Sequence, residues 1–315
     1  MRVDVVASMP HYRAHLLPIF ECLPPELQGR VQPMRPVVDR PHYNHVALVA
    51  SWQDVKPLRG RCRMIYVEHG AGQTYAGDER SMNQPGYSGS GGFRHNGVIG
   101  FIAPSQHVAD RWKTAPAVAV GCPKMDEYIG LAPTGPPAVC FAFHWDTLIS
   151  PEARSAYQHY ADSLPEIMER YKQQGFEVYG HAHPKWEGQL DRTLLKAGAK
   201  AILNDDRAVF HTSSVLFVDN SSLAYEFAAL GRPVVSLNAP WYRRDVEHGL
   251  RFWSHIPGIH VDGPEELLTL NVWDLVYNQL GENNRVRSVE HVYAFTDGSS
   301  SQRAATFIAE RLATM

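Results

Sequence analysis

The chain has 315 residues, of which 44% are hydrophobic and 20% are charged, and its formal net charge is −3. This length exceeds the usual size of a single domain and predicts two domains, each with its own core. The composition is typical of a globular enzyme or binding protein, and the lack of a basic run argues against nucleic acid or an anionic membrane surface as the partner.

Short apolar runs rich in β-branched residues recur along the chain. Because they are continuous rather than alternating, they predict strands of parallel sheets that are covered on both faces. The runs are Val3–Ala7, Val46–Ala50, Met64–Val67, Val98–Ala103, Val118–Val120, Val139–Phe143, Phe176–Tyr179, Ala201–Leu203, Val215–Val218 and Val234–Leu237. Helical patterns at Ser105–Trp112, Pro151–Gln174 and Leu223–Leu230 lie between them, as expected of βαβ units.

A turn-rich stretch, residues 130–137 (GLAPTGPP), separates the two series of strands. We therefore predict an N-terminal Rossmann-like domain at residues 1–130 and a C-terminal one at 131–300. Residues 301–315 predict an amphipathic helix that can pack back on the N-terminal domain. Two doubly wound domains would face each other across a cleft at the carboxyl ends of their strands. The Gly/Ser-rich stretch 86–92 predicts a loop over a site.

The four cysteines are far apart and form no Cys-x-x-Cys pair, so we expect reduced core residues rather than a zinc or disulfide framework. The N-terminal sequence becomes polar too early for a signal peptide. No run approaches the ~18 apolar residues that span a bilayer. A cytoplasmic location is expected.

Two adjacent serines stand where a predicted strand meets a predicted helix, in Asp219-Asn220-Ser221-Ser222. Hydroxyls and helix N–H groups at such a junction suit a phosphate or diphosphate, although a serine there can also be only a helix cap. Glu226, one turn later, could accept hydrogen bonds from a ribose diol, or could be a solvated helix residue.

Histidines follow three of the predicted strands. His69 precedes Gly70 and could be a general base, or could simply bond a carbonyl group. His183 lies in Gly180-His181-Ala182-His183-Pro184-Lys185, which suits a donor to a phosphoryl oxygen better than a metal site, because no third ligand has a compelling spacing. His144 could join it or be structural.

Arginines follow the last predicted strand of the second series, in Tyr242-Arg243-Arg244 and at Arg251. Arg243 and Arg251 could clamp a diphosphate, or could only solubilise the loop. Charged side chains on exposed loops often do no more than keep the loop soluble.

An ordered set of motifs gives the chain a resemblance to a known family. They are His69-Gly70, residues 121–126 (GCPKMD), His183-Pro184, Asp219-Asn220-Ser221-Ser222, Gly231-Arg232-Pro233, the segment from Tyr242 to residues 249–252 (GLRF) and 257–258 (PG), and residues 297–303 (DGSSSQR). In this order the chain resembles the CDP-glycerol glycerophosphotransferases, which include teichoic acid primases and polymerases and belong to the GT-B glycosyltransferase superfamily.

This resemblance implies that the C-terminal domain holds a nucleotide donor and the N-terminal domain an acceptor. By their matching positions, His69 is the base on the acceptor hydroxyl, His183 stabilises the donor phosphates, and Ser221 and Ser222 bind them. Gly70 and Gln73 would lie on the acceptor side. The chain departs from the family in having His-Gly-Ala-Gly where His-Gly-Thr-Pro is frequent, and Glu226 where Asp is common.

The sequence therefore predicts a GT-B transferase that moves a glycosyl or polyol-phosphate group from a CDP- or UDP-type donor to an acceptor hydroxyl, with Asn220, Glu226 and His144 among the donor-binding residues and no required cofactor or metal. Three alternatives stay open: a nucleotide-sugar 2-epimerase, a DNA-modifying glycosyltransferase, and a nucleotide-sugar-binding protein without turnover.

Overall fold

The continuous apolar runs of the sequence form the strands of two parallel sheets. The computed structural model describes residues 1–33, 45–70, 97–112, 114–146, 151, 154–186, 188–244 and 255–315. These residues divide into two units: the first contains those up to 129 together with 290–315, and the second contains 130–289. Residues 290–300, which the sequence predicts to be part of the second domain, thus belong to the first unit.

The first unit contains a six-stranded sheet in the order β2-β1-β3-β4-β5-β6. The strands are β1 (Arg2–Ala7), β2 (Gln28–Pro33), β3 (His45–Val49), β4 (Arg63–Val67), β5 (Val98–Ala103) and β6 (Ala117–Ala119). Helices α1 (Pro10–Glu21), α2 (Trp52–Leu58) and α3 (Gln106–Arg111) connect them. Alternate residues of each central strand pack into two separate apolar clusters, one on each face, so the sheet is buried on both sides.

The second unit contains a sheet in the order β11-β10-β9-β7-β8. The strands are β7 (Ala138–Phe143), β8 (Glu177–Ala182), β9 (Val215–Val218), β10 (Val234–Leu237) and β11 (Ile259–Val261). A parallel bridge between Ile202 and Gly180 adds the predicted segment 201–203 beside β8. With that segment counted, the strands follow the 3-2-1-4-5-6 order of dinucleotide-binding sheets.

The helices of the second unit are α4 (Tyr157–Tyr160), α5 (Leu164–Gln173), α6 (Gln189–Ala197), α7 (Asp206–Thr212), α8 (Leu223–Ala229), α9 (Pro264–Thr269), α10 (Val272–Val276) and most of α11 (Glu282–Val292), whose residues from 290 onward belong to the first unit. Tyr160 ties this layer to the sheet, because its hydroxyl donates to the carbonyl oxygens of Asn238 and Val261 at 3.0 Å each. The two Rossmann-like sheets confirm the predicted α/β fold class.

Two elements differ from the sequence-based expectation because tertiary hydrogen bonds decide them. Strand β2 carries no apolar run, but the Arg30 N–H donates to the buried Asp4 carboxylate at 2.7 Å. A Cβ at Gly29 would lie 2.1 Å from the same carboxylate, so only glycine fits there. The single helix predicted for residues 151–174 is wrong: α4 and α5 are separate, and the preceding residues bond to the sheet edge described below.

A final helix, α12 (Ser300–Ala313), belongs to the first unit, where Ala304, Ala305 and Ile308 pack with Leu16 of α1. Asp126 caps its first turn, since the carboxylate accepts the N–H groups of Ser300 at 3.0 Å and Ser301 at 2.6 Å. Residues 121–126 and 297–303, which carry part of the family resemblance, therefore meet at this cap. No helix in the described part of the chain is long and apolar enough to span a bilayer.

Arg232 fixes the start of the second unit. Its guanidinium is buried and donates to the carbonyl oxygens of Phe210, Ser213 and Leu131. Burial lowers the pKa of Arg232 to about 10, so the side chain is still charged at neutral pH. A cation at the end of α7 also suits the negative end of that helix.

Replacing Asp126 with alanine removes both bonds that cap α12. We expect Asp126→Ala to lower the free energy of unfolding by about 1–2 kcal/mol, the usual cost of losing a helix cap. Urea denaturation measures this change. Glu127→Ala, at the exposed neighbouring position, is the matched control and should change stability by less than about 0.5 kcal/mol.

Replacing Arg232 with methionine leaves three carbonyl groups without their guanidinium donor. We expect Arg232→Met to cost roughly 2–4 kcal/mol, because buried carbonyl groups lose charge-assisted bonds. Arg207→Met, an exposed arginine of α7, serves as the control. Equal denaturation midpoints for the two variants would show that Arg232 does not stabilise this junction.

Candidate functional site

His69 lies two residues past the carboxyl end of β4, in the first unit. Its ring meets the Tyr12 ring edge to face with centroids 4.8 Å apart, and the His15 ring at 6.0 Å. Both neighbours come from α1, where a spacing of three residues places them on one face. The imidazole is half-buried, and Gly70 follows it with φ of +75°, a conformation that favours glycine.

Buried polar groups lie behind this ring cluster. The Tyr12 hydroxyl shares a hydrogen bond with Ser51, and burial raises the pKa of Tyr12. Asp54 is fully buried, accepts the Ser8 N–H at 3.3 Å, and has its pKa raised by burial. These groups lie at the carboxyl ends of β1 and β3, where the connections of the sheet diverge, the usual place for a ligand in such sheets.

The second unit brings most of the predicted donor-binding residues to one edge of its sheet. Phe143 pairs with Ala182, and Ala142 pairs with Val218, so the chain leaves β7, β8 and β9 at the same level. His144, His183 and the segment Asp219–Ser222 therefore follow neighbouring strand ends. The register of the sheet, and not their spacing in the sequence, brings them together.

Asp219 organises this edge. Its side chain is 1% exposed, and its carboxylate accepts three hydrogen bonds: from the His144 N–H at 2.8 Å, the Ser155 hydroxyl at 2.8 Å and the Ala156 N–H at 3.0 Å. A buried carboxylate that accepts several N–H and O–H groups is well compensated for its loss of water. It thus fixes the loop after β7 and the start of the α4 region against the end of β9.

Hydrogen bonds fix the proton positions on both edge histidines. The Lys185 N–H donates to His183 Nδ1 at 3.1 Å, so the proton of the neutral ring is on Nε2. His144 Nδ1 lies 3.1 Å from the Trp145 carbonyl oxygen, which can only accept, so this nitrogen carries a proton. The two rings meet edge to face with centroids 4.8 Å apart.

The two serines of the junction have different surroundings. Ser221 Oγ accepts the Leu223 N–H at 3.3 Å, so this serine acts within the first turn of α8. Ser222 occupies the N-cap position, but its side chain makes no capping bond. Both residues are partly exposed. The cap interpretation thus applies to the Ser221 side chain and not to that of Ser222.

Asn220 and Glu226, two more of the predicted donor residues, lie in this segment and one turn after it. Asn220 is buried and donates its amide to the Arg154 carbonyl at 3.2 Å. Glu226 is 3% exposed, so the interpretation as a solvated helix residue is wrong. Arg243 is exposed in the loop after β10. Gln73 and Arg251 lie outside the described residues, as does the stretch 86–92.

Sequence reasoning missed several neighbours of these residues. Tyr12 and His15 were not predicted. The proline and the three histidine and tyrosine side chains in the first turns of the helix after β1 could have indicated them. Trp145 was also missed, and its ring contacts His183 at 6.3 Å between centroids. His181 is a structural residue, because it is buried and donates Nδ1–H to the Leu203 carbonyl at 2.7 Å.

Comparison with known proteins gives three results. No curated protein sequence matches this chain. Solved structures of the wall teichoic acid polymerase TagF are similar at 14% identity over 99% of this chain and 89% of theirs, with TM-scores of 0.59 and, for a variant soaked with CDPG, 0.65. A putative UDP-N-acetylglucosamine 2-epimerase from Listeria monocytogenes is similar at 13% identity over 100% of this chain and 97% of its own, with a TM-score of 0.60.

A UDP complex of MnaA from S. aureus is similar at 10% identity over 100% of this chain and 97% of its own, with a TM-score of 0.61. These likenesses identify the fold, and they confirm the predicted GT-B fold class. The model of the family described as CDP-Glycerol:Poly(glycerophosphate) glycerophosphotransferase matches residues 149–310, just over half of the chain. This chain belongs to that glycerophosphotransferase family.

Proposed function

We propose that the protein transfers a polyol-phosphate group, of the glycerol-phosphate type, from a CDP-activated donor to an acceptor hydroxyl. The observation that carries this proposal is the family match over residues 149–310, which includes Ser221, Ser222 and the His183 motif. The sheet register supports it, because these residues follow neighbouring strand ends. Nucleotides bind at such edges of doubly wound sheets.

The second unit holds the donor in this proposal. Ser222 offers a hydroxyl that no capping bond uses, and His183 offers Nε2–H as a hydrogen-bond donor. Asn220 lies in the same segment and Glu226 lies one turn after it, with Glu226 assigned to the ribose. Arg243, in the loop after β10, is assigned to the diphosphate. His144 joins His183 at the adjacent strand end. Preorganised donors of this kind stabilise charge that grows on a leaving phosphate.

The first unit supplies the base. His69 takes the proton from the acceptor hydroxyl, and the oxygen forms a bond to the phosphorus of the transferred group. The bond between that phosphorus and the bridging oxygen breaks, and its electron pair leaves with CMP. The edge-to-face contact with Tyr12 holds the imidazole in place for this step.

Calorimetry with CDP, UDP and GDP, followed by an assay for consumption of CDP-glycerol with polyol acceptors, tests the proposal. Tightest binding of CDP together with release of CMP supports it. Consumption of UDP-N-acetylglucosamine without an acceptor would instead indicate the epimerase alternative. Binding without any consumption would indicate a binding protein, and no binding of any nucleotide would overturn the proposed donor site.

His69→Ala should separate turnover from donor binding. Because the imidazole is assigned to the acceptor proton alone, we expect kcat to fall by about 10²–10⁴-fold while the Kd for CDP changes less than about twofold. Steady-state kinetics and calorimetry measure the two quantities. His260→Ala, at an exposed position of β11, is the control. Equal kcat values for His69→Ala and the unmodified protein would remove the base assignment.

Ser222→Ala should instead weaken binding of the donor. Loss of one hydrogen bond to a charged phosphate is expected to raise the Kd for CDP about 10-fold or more. Thermal stability should stay unchanged, because the Ser222 side chain makes no capping bond. Ser221→Ala is the matched comparison, and it should lower stability because its hydroxyl bonds the Leu223 N–H. Unchanged CDP affinity in Ser222→Ala would contradict the assignment.

A further inference from the structure

We propose that Lys185 binds the second phosphate of the donor, the phosphate that is transferred together with the polyol, and thereby makes the site prefer a nucleoside diphosphate to a monophosphate. This inference rests on the proposed function and deepens it. It assigns a specificity role to a side chain that lies beside His183, at the end of β8.

Two arginines at this edge of the second sheet pair with acids, whereas Lys185 does not. Arg154 faces the Asp146 carboxylate at 3.6 Å, and Arg244 makes a two-pronged ion pair with Asp262. The Arg244 guanidinium holds the pKa of Asp262 below its usual value. In the part of the chain that the structure describes, no carboxylate pairs with Lys185. Its positive charge is therefore not neutralised by a neighbouring acid.

The Lys185 ammonium is nevertheless held in place. Its Nζ lies 4.3 Å from the centre of the Trp145 ring, which follows His144 at the end of β7. An ammonium over an indole face is attracted by the ring, but this attraction is weaker than a contact with a phosphate dianion. Lys185 can thus exchange the ring for a phosphate without first breaking an ion pair.

The strand order places Lys185 away from the serine pair. Strand β7 separates β9, which precedes Ser221 and Ser222, from β8, which precedes His183 and Lys185. Neighbouring strands are about 4.8 Å apart, so the two strand ends are separated by roughly 10 Å. One phosphate group cannot fill that distance, whereas the two phosphates of a diphosphate, reached by side chains from both ends, can.

The preference for a diphosphate over a monophosphate also favours release of the product. Breaking the diphosphate leaves CMP, which has lost the phosphate assigned to Lys185. The product then binds less tightly than the donor, which favours its release. Lys185 would contribute to this difference without taking part in the proton transfer at His69.

The test compares the binding of two ligands to the unmodified protein and to two variants. Calorimetry gives the ratio of Kd for CMP to Kd for CDP in the unmodified protein, in Lys185→Met and in Lys185→Arg. We expect Lys185→Met to reduce this ratio about 3–10-fold by weakening CDP alone, and Lys185→Arg to restore most of it. The methionine variant keeps the backbone N–H that bonds His183 Nδ1, so the proton position on His183 is preserved.

Two further measurements make the result specific. Lys200→Met removes a lysine whose ammonium pairs with Glu177 at 2.5 Å, and it should leave the ratio unchanged. Ser222→Ala should weaken CMP and CDP alike. An unchanged ratio in Lys185→Met, with CDP still bound by the unmodified protein, overturns the Lys185 assignment alone. Failure of the unmodified protein to bind CDP overturns the proposed function itself.

Discussion

The buried carboxylate of Asp219 is the constraint on which the donor edge of the second unit depends. An acid that is 1% exposed is costly unless hydrogen bonds replace water, and three donors from the β7 loop and the segment before α4 do so here. Those bonds set the positions of His144 and of the chain that Asn220 contacts. These hydrogen bonds also explain why the residues just before α4 are not helical, since the Ser155 hydroxyl and the Ala156 N–H donate to Asp219.

The motifs that mark the family divide into two kinds when their contacts are compared. Asp126 caps the last helix, Asp297 pairs with Arg303 at 2.8 Å, and Arg232 binds carbonyl groups at the start of the second unit. These side chains stabilise the fold. His69, His183 and Ser222 are at strand ends with at least part of their surface exposed. The proton transfer and the phosphate contacts that we propose for His69, His183 and Ser222 use residues of this second kind.

Phosphate recognition in this proposal combines hydroxyl, imidazole and ammonium groups drawn from three strand ends. Parallel pairing makes this possible, because each strand ends at the same edge and its loop brings a different functional group there. Pairing of Arg154 and Arg244 with carboxylates keeps most of the positive charge of this edge neutralised. Lys185, beside His183, is a positive charge at this edge that no carboxylate of the described residues neutralises.

The sequence by itself determined the fold class, because continuous β-branched runs report burial on both faces wherever they occur. It also indicated His69, His183 and Ser221-Ser222, since each stands directly after such a run. It could not determine β2, whose strand depends on the distant Asp4, nor the non-helical residues 154–156, whose partner is Asp219. Tyr12 beside His69 and Lys185 over Trp145 were likewise decided only in the tertiary structure. Contacts of this kind join residues far apart in the chain, and no local pattern of apolar or polar residues encodes them.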